Sequence, residues 1–247
     1  GFTGSYSGGR ALYDYAAARK NPIPVFSEMG STNPVLLFPD TISQNAVSIA
    51  KQYAGSINLG VGQFCTNPGI LLGIASEGLN EFIEQLVVEM NAIAPASMLH
   101  KGILVAYENK ATKALSHQSV EQKTVNTNAT INNQALPILA TVSGEAFIQD
   151  PLLHEEVFGP YALIVQCKDV EELKLAWQAI AGQLTTTLMG TDLDFANHSA
   201  LLQLAPYLAG RVLFNGVPTG VDVCASMVHG GPFPASTDGR FTAVGIN

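Results

Sequence analysis

Val35-Leu-Leu-Phe38 is an unbroken apolar run, and in the segment that follows it the apolar residues are spaced differently. From Thr41, which is predicted to cap a helix, the apolar positions follow helical spacing, namely Ile42, Ala46, Ile49, Ala50 and Tyr53. A second apolar run follows at Ile70–Ala75, and the helical pattern returns over Leu79–Asn91. Apolar strands without alternation, separated by helices, are typical of a parallel sheet that is buried on both faces. This stretch therefore predicts an α/β fold with a parallel sheet.

The same alternation continues along the chain, with less regularity in its middle. Further strands are predicted at 138–142, 162–166, 185–189 and 211–214, with helices at 170–180 and about 195–208. Near the start, the Ala-rich stretch 10–20 behind Gly8-Gly9 predicts a helix, and residues 25–28 predict a short strand. Residues 94–135 are rich in Asn, Thr, Ser and Gln and are less regular, so no helix or strand is predicted there.

Charged residues are scarce in this chain of 247 residues: they make up 13% of it, against about 25% in a typical soluble domain. The net charge of −8 and the absence of a Lys/Arg cluster exclude a basic, phosphate-tracking protein, so that no nucleic-acid partner is expected. The hydrophobic content of 47% excludes disorder. Interface cores are depleted of charge, so if this chain is part of a multidomain oligomer, it should expose apolar patches, self-associate or occur beside its missing half.

The cysteines and the two ends of the chain bear on its compartment. Cys65, Cys167 and Cys224 are far apart, without a CxxC pair or metal-ligand spacing, which predicts no disulfide scaffold, no metal site and a reducing, cytoplasmic location. The longest apolar stretch, 69–75, is too short to cross a bilayer and no signal peptide opens the chain, so no membrane partner is expected. The start lacks an initiator Met and both ends read as cut, which predicts a fragment of a longer protein.

Cys65 is the first candidate for chemistry. It ends the glycine-rich stretch Gly60-Val-Gly-Gln-Phe-Cys65 and precedes Thr66-Asn-Pro-Gly69. Backbone N–H groups in such a setting lower the pKa of a thiol and stabilise an oxyanion on an attacked carbonyl. The alternative is a small buried hydrophobic cysteine without a chemical role.

Glu28 is the second candidate, at the end of the apolar strand 25–28. A carboxylate at the carboxyl end of a strand in an α/β fold faces the usual active-site crevice, and burial there raises its pKa towards the range that a general base needs. An exposed strand-end Glu is the competing interpretation. The following residues 29–34 are predicted to form a loop in which Asn33, before Pro34, is extended.

Two further segments are candidates for ligand binding. Phe2-Thr-Gly-Ser5, followed by Gly8-Gly9 and a helix, is suited to a pyrophosphate, although a plain glycine-rich helix start has the same pattern. In Asp150-Pro-Leu-Leu-His-Glu-Glu-Val-Phe-Gly-Pro160, two adjacent acids beside an aromatic residue could bind a ribose diol. A solvated acidic loop is the alternative for that segment.

Taken in order, these motifs resemble the aldehyde dehydrogenase superfamily. The resemblance runs through Phe2-Thr-Gly-Ser5, Glu28-Met-Gly-Ser-Thr-Asn-Pro34, Gly62-Gln-Phe-Cys65 and Glu155-Glu-Val-Phe-Gly-Pro160, and ends at Phe214-Asn215. Within the family, Gly62–Gly69 and His229-Gly-Gly-Pro-Phe-Pro234 resemble the branch of ketoglutarate semialdehyde and NADP-preferring fatty aldehyde dehydrogenases. The family usually has a glycine at the position of Ser31, and members of this branch often carry serine there.

The resemblance implies an α/β fold made of a parallel-sheet catalytic domain and the tail end of a Rossmann-like coenzyme-binding domain. Residues 1–30 would be the last part of the coenzyme domain and 31–231 the catalytic domain. Residues 232–247 would return towards the coenzyme domain, cut before the oligomerisation strand. The implied partners are an aldehyde and, in the full-length enzyme, further copies of the chain in a homo-oligomer. The implied cofactor is NADP or NAD.

The resemblance also implies roles for single residues. Cys65 would attack the aldehyde to give a thiohemiacetal, hydride transfer to the nicotinamide would leave a thioester, and Glu28 would activate the water that hydrolyses it. Ser5 would contact the coenzyme pyrophosphate, with Gly4 and Gly9 allowing close backbone approach. In the rest of the coenzyme site, Glu156 would hold the nicotinamide ribose and Phe158 would pack near the nicotinamide. The implied substrate is an aldehyde such as 2,5-dioxopentanoate or another semialdehyde.

Two alternatives stay open at this point. One is a Cys-dependent acyl hydrolase in which Cys65 works with a histidine, for which His229 and His154 are available. The other is a folded domain without turnover of its own.

Overall fold

A seven-stranded sheet lies at the centre of the computed structural model, which describes residues 1–126, 128, 130–222, 224, 227 and 229–238. Its strands are β3 (Val35–Leu37), β4 (Ile70–Ile74), β6 (Glu121–Gln122), β8 (Ile138–Ser143), β9 (Tyr161–Cys167), β10 (Gln183–Met189) and β11 (Ala209–Phe214). They lie in the order β11-β10-β3-β4-β9-β8-β6, and each neighbouring pair is parallel except β6 with β8, which is antiparallel. The predicted fold class, α/β with a mainly parallel sheet, is confirmed.

Both faces of this sheet are covered by helices. The α-helices of the described residues are α1 (Tyr6–Ala17), α2 (Pro39–Asn58), α3 (Glu77–Asn91), α4 (Lys101–Leu115), α5 (Gly144–Gln149), α6 (Val170–Ala179), α7 (Asp192–Asn197) and α8 (Ser199–Leu208). Val35 and Leu37 pack with apolar residues of α2 and α3, whereas Leu36 joins a second core that contains Trp177 of α6. Successive strand residues thus enter opposite cores, which explains why the strands are apolar without alternation.

Two small sheets and three short 3-10 turns complete the architecture. β1 (Phe2–Thr3) pairs in parallel with β2 (Ser27–Glu28), and β5 (Ala96–Ser97) pairs with β7 (Gln134–Ala135) in antiparallel. The 3-10 turns are Leu59–Gly62, Pro151–His154 and Pro218–Gly220. In the described part of the chain, no helix has the length and apolar character needed to span a membrane.

The chain returns to β2 near the end of the described residues. The N–H of Met29 donates to the carbonyl of Ala235 at 2.9 Å, and the N–H of Thr237 donates to Ser27 at 3.0 Å. Of the return segment predicted at 232–247, the part up to 238 therefore lies against β2. Residues 239–247 are outside the described residues.

The prediction that 94–135 is irregular was wrong, because this region contains the four-turn helix α4. The buried positions of α4 are Tyr107, Ala111 and Ala114, which follow helical spacing. Two of these three are alanines, so the apolar stripe is narrow and the periodic signal is weak. Composition alone therefore hid a regular helix.

The prediction that Thr41 caps α2 was also wrong. The helix begins at Pro39, and the carboxylate of Asp194 accepts hydrogen bonds from the N–H of Asp40 at 3.0 Å and of Thr41 at 2.9 Å. A side chain from α7 thus satisfies the free donors of the first turn. Such a cap, which comes from a residue far along the chain, leaves no local signal in the sequence.

Smaller differences concern the bounds of elements. The strand predicted at 25–28 is reduced to Ser27–Glu28, and the helix predicted at 195–208 is divided between α7 and α8. Gly8 and Gly9 lie inside α1 and not before it. Gly9 is buried against Met29 and Ser27, where a Cβ atom would overlap with the methionine side chain, so this glycine lets α1 lie directly on β2.

Candidate active site

Glu28 is held at the end of a short strand that has neighbours on both sides. Thr3 of β1 is its partner on one side, and an isolated bridge joins it to Ser236 on the other. The residue is buried, with 4% of its surface exposed. The carboxylate oxygen Oε2 lies 3.1 Å from Nε2 of His229. The backbone of the predicted base is therefore fixed from two directions.

Cys65 follows a tight turn that is packed against a second loop. Gly60, Val61 and Gly62 have positive φ angles of 58°, 59° and 66°, a region that a β-branched residue such as valine rarely adopts. A Cβ atom on Gly62 would overlap with the backbone of Gly159 and Pro160. The turn is thus held by close backbone packing, and it leaves Cys65 partly exposed.

Asn33 connects the loop behind Glu28 to the loop of Cys65. Its side-chain Nδ2 donates to the carbonyl oxygens of Cys65 and Asn67, both at 2.9 Å, and its Oδ1 accepts from the hydroxyl of Thr185 at 3.0 Å. The extended conformation expected for Asn33 was wrong, since its φ is +47°. Asparagine tolerates this left-handed conformation, and the three side-chain bonds hold it there against the preference set by the following proline.

Gln183 anchors the same loop from β10. Its Oε1 accepts from the N–H of Thr32 at 2.6 Å and of Asn33 at 3.1 Å. The hydroxyl of Ser31, where the family usually has glycine, lies 2.9 Å from the same oxygen and accepts from the N–H of Leu184 at 3.0 Å. The serine is therefore accommodated by a polar network that ties the loop to the central sheet.

His229 lies between the two predicted catalytic groups. Its Nε2 is 3.4 Å from Sγ of Cys65 and 3.1 Å from Oε2 of Glu28. The hydrogen bonds to Cys65 and then to Glu28 raise the pKa of His229 to about 9, against the opposing effect of burial. Sequence reasoning offered His229 only as one of two histidines for a hydrolase, and 164 residues separate it from Cys65. The one local signal was its position in the His229–Pro234 motif.

His154, the other histidine considered, is engaged elsewhere. Its Nε2 donates to the carbonyl of Phe147 at 2.7 Å, and its ring lies against the Phe147 ring with centroids 4.5 Å apart. Burial lowers the pKa of His154. The neighbouring Glu156 and Phe158, in contrast, line a pocket together with Ser31, Gly62 and Asn67.

Glu156 lies in this pocket beside Gly30. A Cβ atom on Gly30, whose φ is +101°, would come within 2.7 Å of the Glu156 carboxylate. Burial raises the pKa of Glu156 to about 7, although Lys110 acts in the opposite direction. Lys110 also donates from Nζ to the backbone carbonyl of Glu156 at 2.7 Å, and so holds this segment to α4.

The remaining predicted residues surround the start of α1. Ser5 is the N-cap, and its hydroxyl accepts from the N–H of Gly8 at 3.2 Å. The N–H of Gly4 donates to the carbonyl of Glu28 at 3.0 Å. The structure thus brings Cys65 and Glu28 together at His229, and it places Glu156 and Phe158 on the adjoining pocket. Gly4 and Gly9 contact the backbone and side chains of residues 27–29, and Ser5 lies between them at the start of α1.

Comparisons with known proteins agree with this architecture. The profile of the "Aldehyde dehydrogenase family" matches residues 1–242. Alpha-ketoglutaric semialdehyde dehydrogenase 2 of Azospirillum brasilense is 44% identical over 246 residues, and its counterpart in Acinetobacter baylyi is 39% identical; each match covers 99% of this chain and 47% of the relative. The chain therefore spans about half the length of these relatives. Gamma-glutamyl-gamma-aminobutyraldehyde dehydrogenase from Burkholderia cenocepacia has the same fold, with a TM-score of 0.75 at 21% identity over 95% of this chain and 47% of that one.

Proposed function

The chain belongs to the aldehyde dehydrogenase family, and from that premise we propose that it is the catalytic portion of an enzyme that oxidises an aldehyde to a carboxylate with NAD(P)+. One observation carries the proposal. Sγ of Cys65 and Oε2 of Glu28 both lie within 3.4 Å of the same nitrogen of His229, so a nucleophile and a base meet at one point beside a pocket.

In the first step, the thiolate of Cys65 attacks the carbonyl carbon of the aldehyde. A C–S bond forms, and the carbonyl electron pair moves to oxygen. The pKa of His229 is raised to about 9, so its ring is protonated at neutral pH and Nε2–H donates towards the thiolate. The backbone N–H of Cys65 would stabilise the oxyanion. Asn33 holds the Cys65 carbonyl and so keeps the nucleophile in position.

The polar groups around the adjoining pocket offer contacts to a nicotinamide coenzyme, whose rings would lie outside this narrow cleft. The buried Oδ1 of Asn67, a lining residue, has no hydrogen-bond partner among the described residues and is available to a donor of a bound ligand. Glu156 and Phe158 would hold the ribose and the nicotinamide, and Ser5 with Gly4 and Gly9 would form the pyrophosphate end at the start of α1. When bound, NAD(P)+ supplies the acceptor for the hydride of the substrate.

In the last step, Glu28 takes a proton from a water molecule that attacks the thioester on Cys65. The C–S bond breaks, the carboxylic acid leaves, and Sγ recovers its electron pair. Burial and the contact with His229 hold the carboxylate near Cys65. The water would bind between the carboxylate and the thioester. The base makes hydrolysis the outcome of the cycle.

The proposed substrate rests on the names of the relatives, and the proposed oligomer rests on exposed apolar side chains. A semialdehyde such as 2,5-dioxopentanoate is the proposed substrate, in keeping with the names of the two relatives. We assign residues 1–30 to a coenzyme domain, 31–231 to the catalytic domain and 232–247 to a return segment of a homo-oligomeric, cytoplasmic enzyme. Four large apolar side chains of α1 are exposed, which favours a covered surface in the whole protein: Tyr6, Leu12, Tyr13 and Tyr15.

A Cys-dependent hydrolase is the second candidate, because Cys65, His229 and Glu28 are the residue types of a nucleophile, a base and an acid. In such a triad, however, the histidine presents one ring nitrogen to the nucleophile and the other to the carboxylate. Here both groups face Nε2. This geometry favours the dehydrogenase, in which Glu28 is free to act on water.

The test expresses the complete reading frame that encodes this chain and follows reduction of NAD(P)+ with 2,5-dioxopentanoate. Cys65→Ala should abolish reduction. Glu28→Gln should give a burst of about one reduced coenzyme per site and then stop, because the thioester is formed but not hydrolysed. Steady oxidation by Cys65→Ala would overturn the proposal, and coenzyme-independent ester hydrolysis without any aldehyde oxidation would support the hydrolase.

A further inference from the structure

Three side chains with different metal-binding atoms meet at the candidate active site. Sγ of Cys65, Nε2 of His229 and a carboxylate oxygen of Glu28 all lie within 4.8 Å of one another. We propose that they form a binding site for a thiophilic divalent cation such as Zn²⁺, and that the bound cation reversibly blocks the reaction centre.

The distances between the donor atoms agree with one central cation. With Zn–S of about 2.3 Å and Zn–N and Zn–O of about 2.0–2.1 Å in a tetrahedral arrangement, neighbouring donors lie roughly 3.3–3.6 Å apart. The observed Sγ–Nε2 and Nε2–Oε2 distances are 3.4 Å and 3.1 Å. The third pair, Sγ of Cys65 and a carboxylate oxygen of Glu28, lies within 4.8 Å, so that rotation of these two side chains would bring all three donors to one Zn²⁺.

The chemistry of the donors selects the class of cation. A thiolate sulfur, an imidazole nitrogen and a single carboxylate favour Zn²⁺ and similar transition metals, whereas Mg²⁺ and Ca²⁺ require a shell of oxygen atoms. Three protein ligands leave a fourth tetrahedral position for water or an added thiol. Cys65 is partly exposed, so the cluster is open to solvent at its sulfur.

The ligands are also held by their surroundings. Asn33 fixes the carbonyl of Cys65, and pairing on both sides of β2 fixes the backbone of Glu28. The side chain of Glu28 is 5% exposed and that of His229 11% exposed, so water competes weakly for the cation. Supports of this kind raise metal affinity because they hold the ligands in place before the metal arrives.

The spacing of the three residues explains why sequence analysis predicted no metal site. Cys65 lies 37 residues after Glu28, and His229 lies 164 residues after Cys65. Zinc motifs that can be found in a sequence place ligands in pairs a few residues apart on one turn or helix. Here each ligand comes from a different segment, and only the fold brings them together.

The cation has a defined effect on the proposed reaction. Coordination uses the lone pairs by which Cys65 attacks the aldehyde and Glu28 deprotonates water, so one ion disables both steps. Binding releases to solvent any proton held by the thiol and the proton of His229, no atom changes its oxidation state, and a chelator reverses the block. The inhibitory effect rests on the proposed function, whereas cation binding does not.

The experiment uses Co²⁺ as a spectroscopic probe and Zn²⁺ as the competing ion on the chain of 247 residues. Co²⁺ should give a thiolate charge-transfer band and the visible bands of tetrahedral coordination, and one equivalent of Zn²⁺ should remove them. Cys65→Ser should remove the charge-transfer band. His229→Gln and Glu28→Gln should weaken Zn²⁺ binding by at least about tenfold.

Cys224→Ser is the matched control, because it removes an exposed thiol outside the cluster and should leave the bands unchanged. A band that survives Cys65→Ser but disappears in Cys224→Ser would overturn the proposal, as would the absence of any band. If a ligand variant fails to fold, alkylation of the unmodified chain decides: Zn²⁺ should protect Cys65 from iodoacetamide at least about tenfold more than it protects Cys224, and equal labelling with and without Zn²⁺ refutes the site.

Activity of the complete reading frame separates the two proposals. Aldehyde oxidation that Zn²⁺ inhibits and a chelator restores supports both. Oxidation that saturating Zn²⁺ leaves unchanged refutes the inhibitory site alone. Zn²⁺ binding at Cys65 in a protein that does not oxidise aldehydes supports the cation site and refutes the proposed function.

Discussion

The side-chain amide of Asn33 donates a hydrogen bond of 2.9 Å to the backbone carbonyl of Cys65. The bond joins the loop that follows the predicted base to the loop that carries the predicted nucleophile. A second bond of 2.9 Å from the same nitrogen to Asn67 makes the link bidentate. This buried amide, together with the bond of 2.8 Å from the N–H of Gly69 to the carbonyl of Thr32, therefore holds the two loops to each other.

Asn33→Ala should destabilise the protein and loosen the cysteine loop. The change leaves the carbonyls of Cys65 and Asn67 without their donor, and each unpaired buried group costs about 1–3 kcal/mol. Allowing for partial relaxation, we expect a loss of about 2–4 kcal/mol in the free energy of unfolding, measured by urea denaturation. Asn109→Ala, at an exposed position on α4, is the control and should change stability by less than about 0.5 kcal/mol.

The same variant should change the reactivity of Cys65. Alkylation of the thiol by iodoacetamide, followed by peptide mapping, measures how well the loop is held. An alkylation rate that equals that of the unmodified chain would contradict the positioning role of Asn33, whatever the loss of stability.

Gln183→Leu should be more harmful than Gln183→Glu. Leucine removes the oxygen that accepts from the N–H groups of Thr32 and Asn33. At pH 4, where a buried glutamate is protonated and adds no charge, glutamate keeps this acceptor and offers its O–H to the carbonyl of Ala181, so the comparison is made at that pH. We expect about 2–4 kcal/mol of destabilisation for leucine and a smaller loss for glutamate. Equal losses for the two variants would show that the side-chain volume matters and the hydrogen bonds do not.

The core of the sheet and the local motifs could be read from the sequence, because each depends on neighbouring residues. The apolar runs at 35–38 and 70–75 predicted strands that the structure contains, and the motifs around Glu28 and Cys65 identified the family. The roles of single residues stay predictions. The strands could be predicted because burial on both faces requires apolar residues at each position of a short stretch of chain.

Contacts between distant segments could not be read in the same way. The cap that Asp194 provides for α2, the anchor that Gln183 provides for the Ser31–Asn33 loop, and the place of His229 depend on which strands become neighbours. The conformation of Asn33 was mispredicted for the same reason, since the local preference before proline is outweighed by bonds to Cys65, Asn67 and Thr185.

Two glycines that precede Cys65, one in α2 and one in the cysteine turn, should respond in opposite ways to alanine. Gly62 has a φ of +66° and packs on the backbone of Gly159, so Gly62→Ala should cost at least about 2 kcal/mol through strain and overlap. Gly55 lies inside α2 with no atom near the position of a Cβ, so Gly55→Ala should stabilise by about 0.5–1 kcal/mol. Thermal unfolding of both variants measures the difference, and a Gly62→Ala protein as stable as Gly55→Ala would refute the close packing of the turn.

Glu156→Gln should stabilise the protein in a manner that depends on pH. Burial raises the pKa of Glu156 to about 7 in the folded protein, from an ordinary value of 4.5. The folded state therefore holds the proton more tightly than the unfolded state, and stability falls as the pH rises from 4.5 to 7 and then stays constant. Glutamine removes this cost, so we expect a gain of about 1–3 kcal/mol at pH 8 that disappears at pH 4.

Two further variants test whether burial is the cause. Glu155→Gln removes a carboxylate from the exposed neighbouring position and controls for the change in net charge. Lys110→Met removes the cation that lowers the pKa of Glu156, so the decline in stability should extend to higher pH and become deeper. Urea denaturation at pH 4, 6 and 8 measures all three variants. If Glu156→Gln gives the same gain at every pH, the carboxyl group of Glu156 does not bear the cost of burial, and a difference in packing between the two side chains must explain the gain.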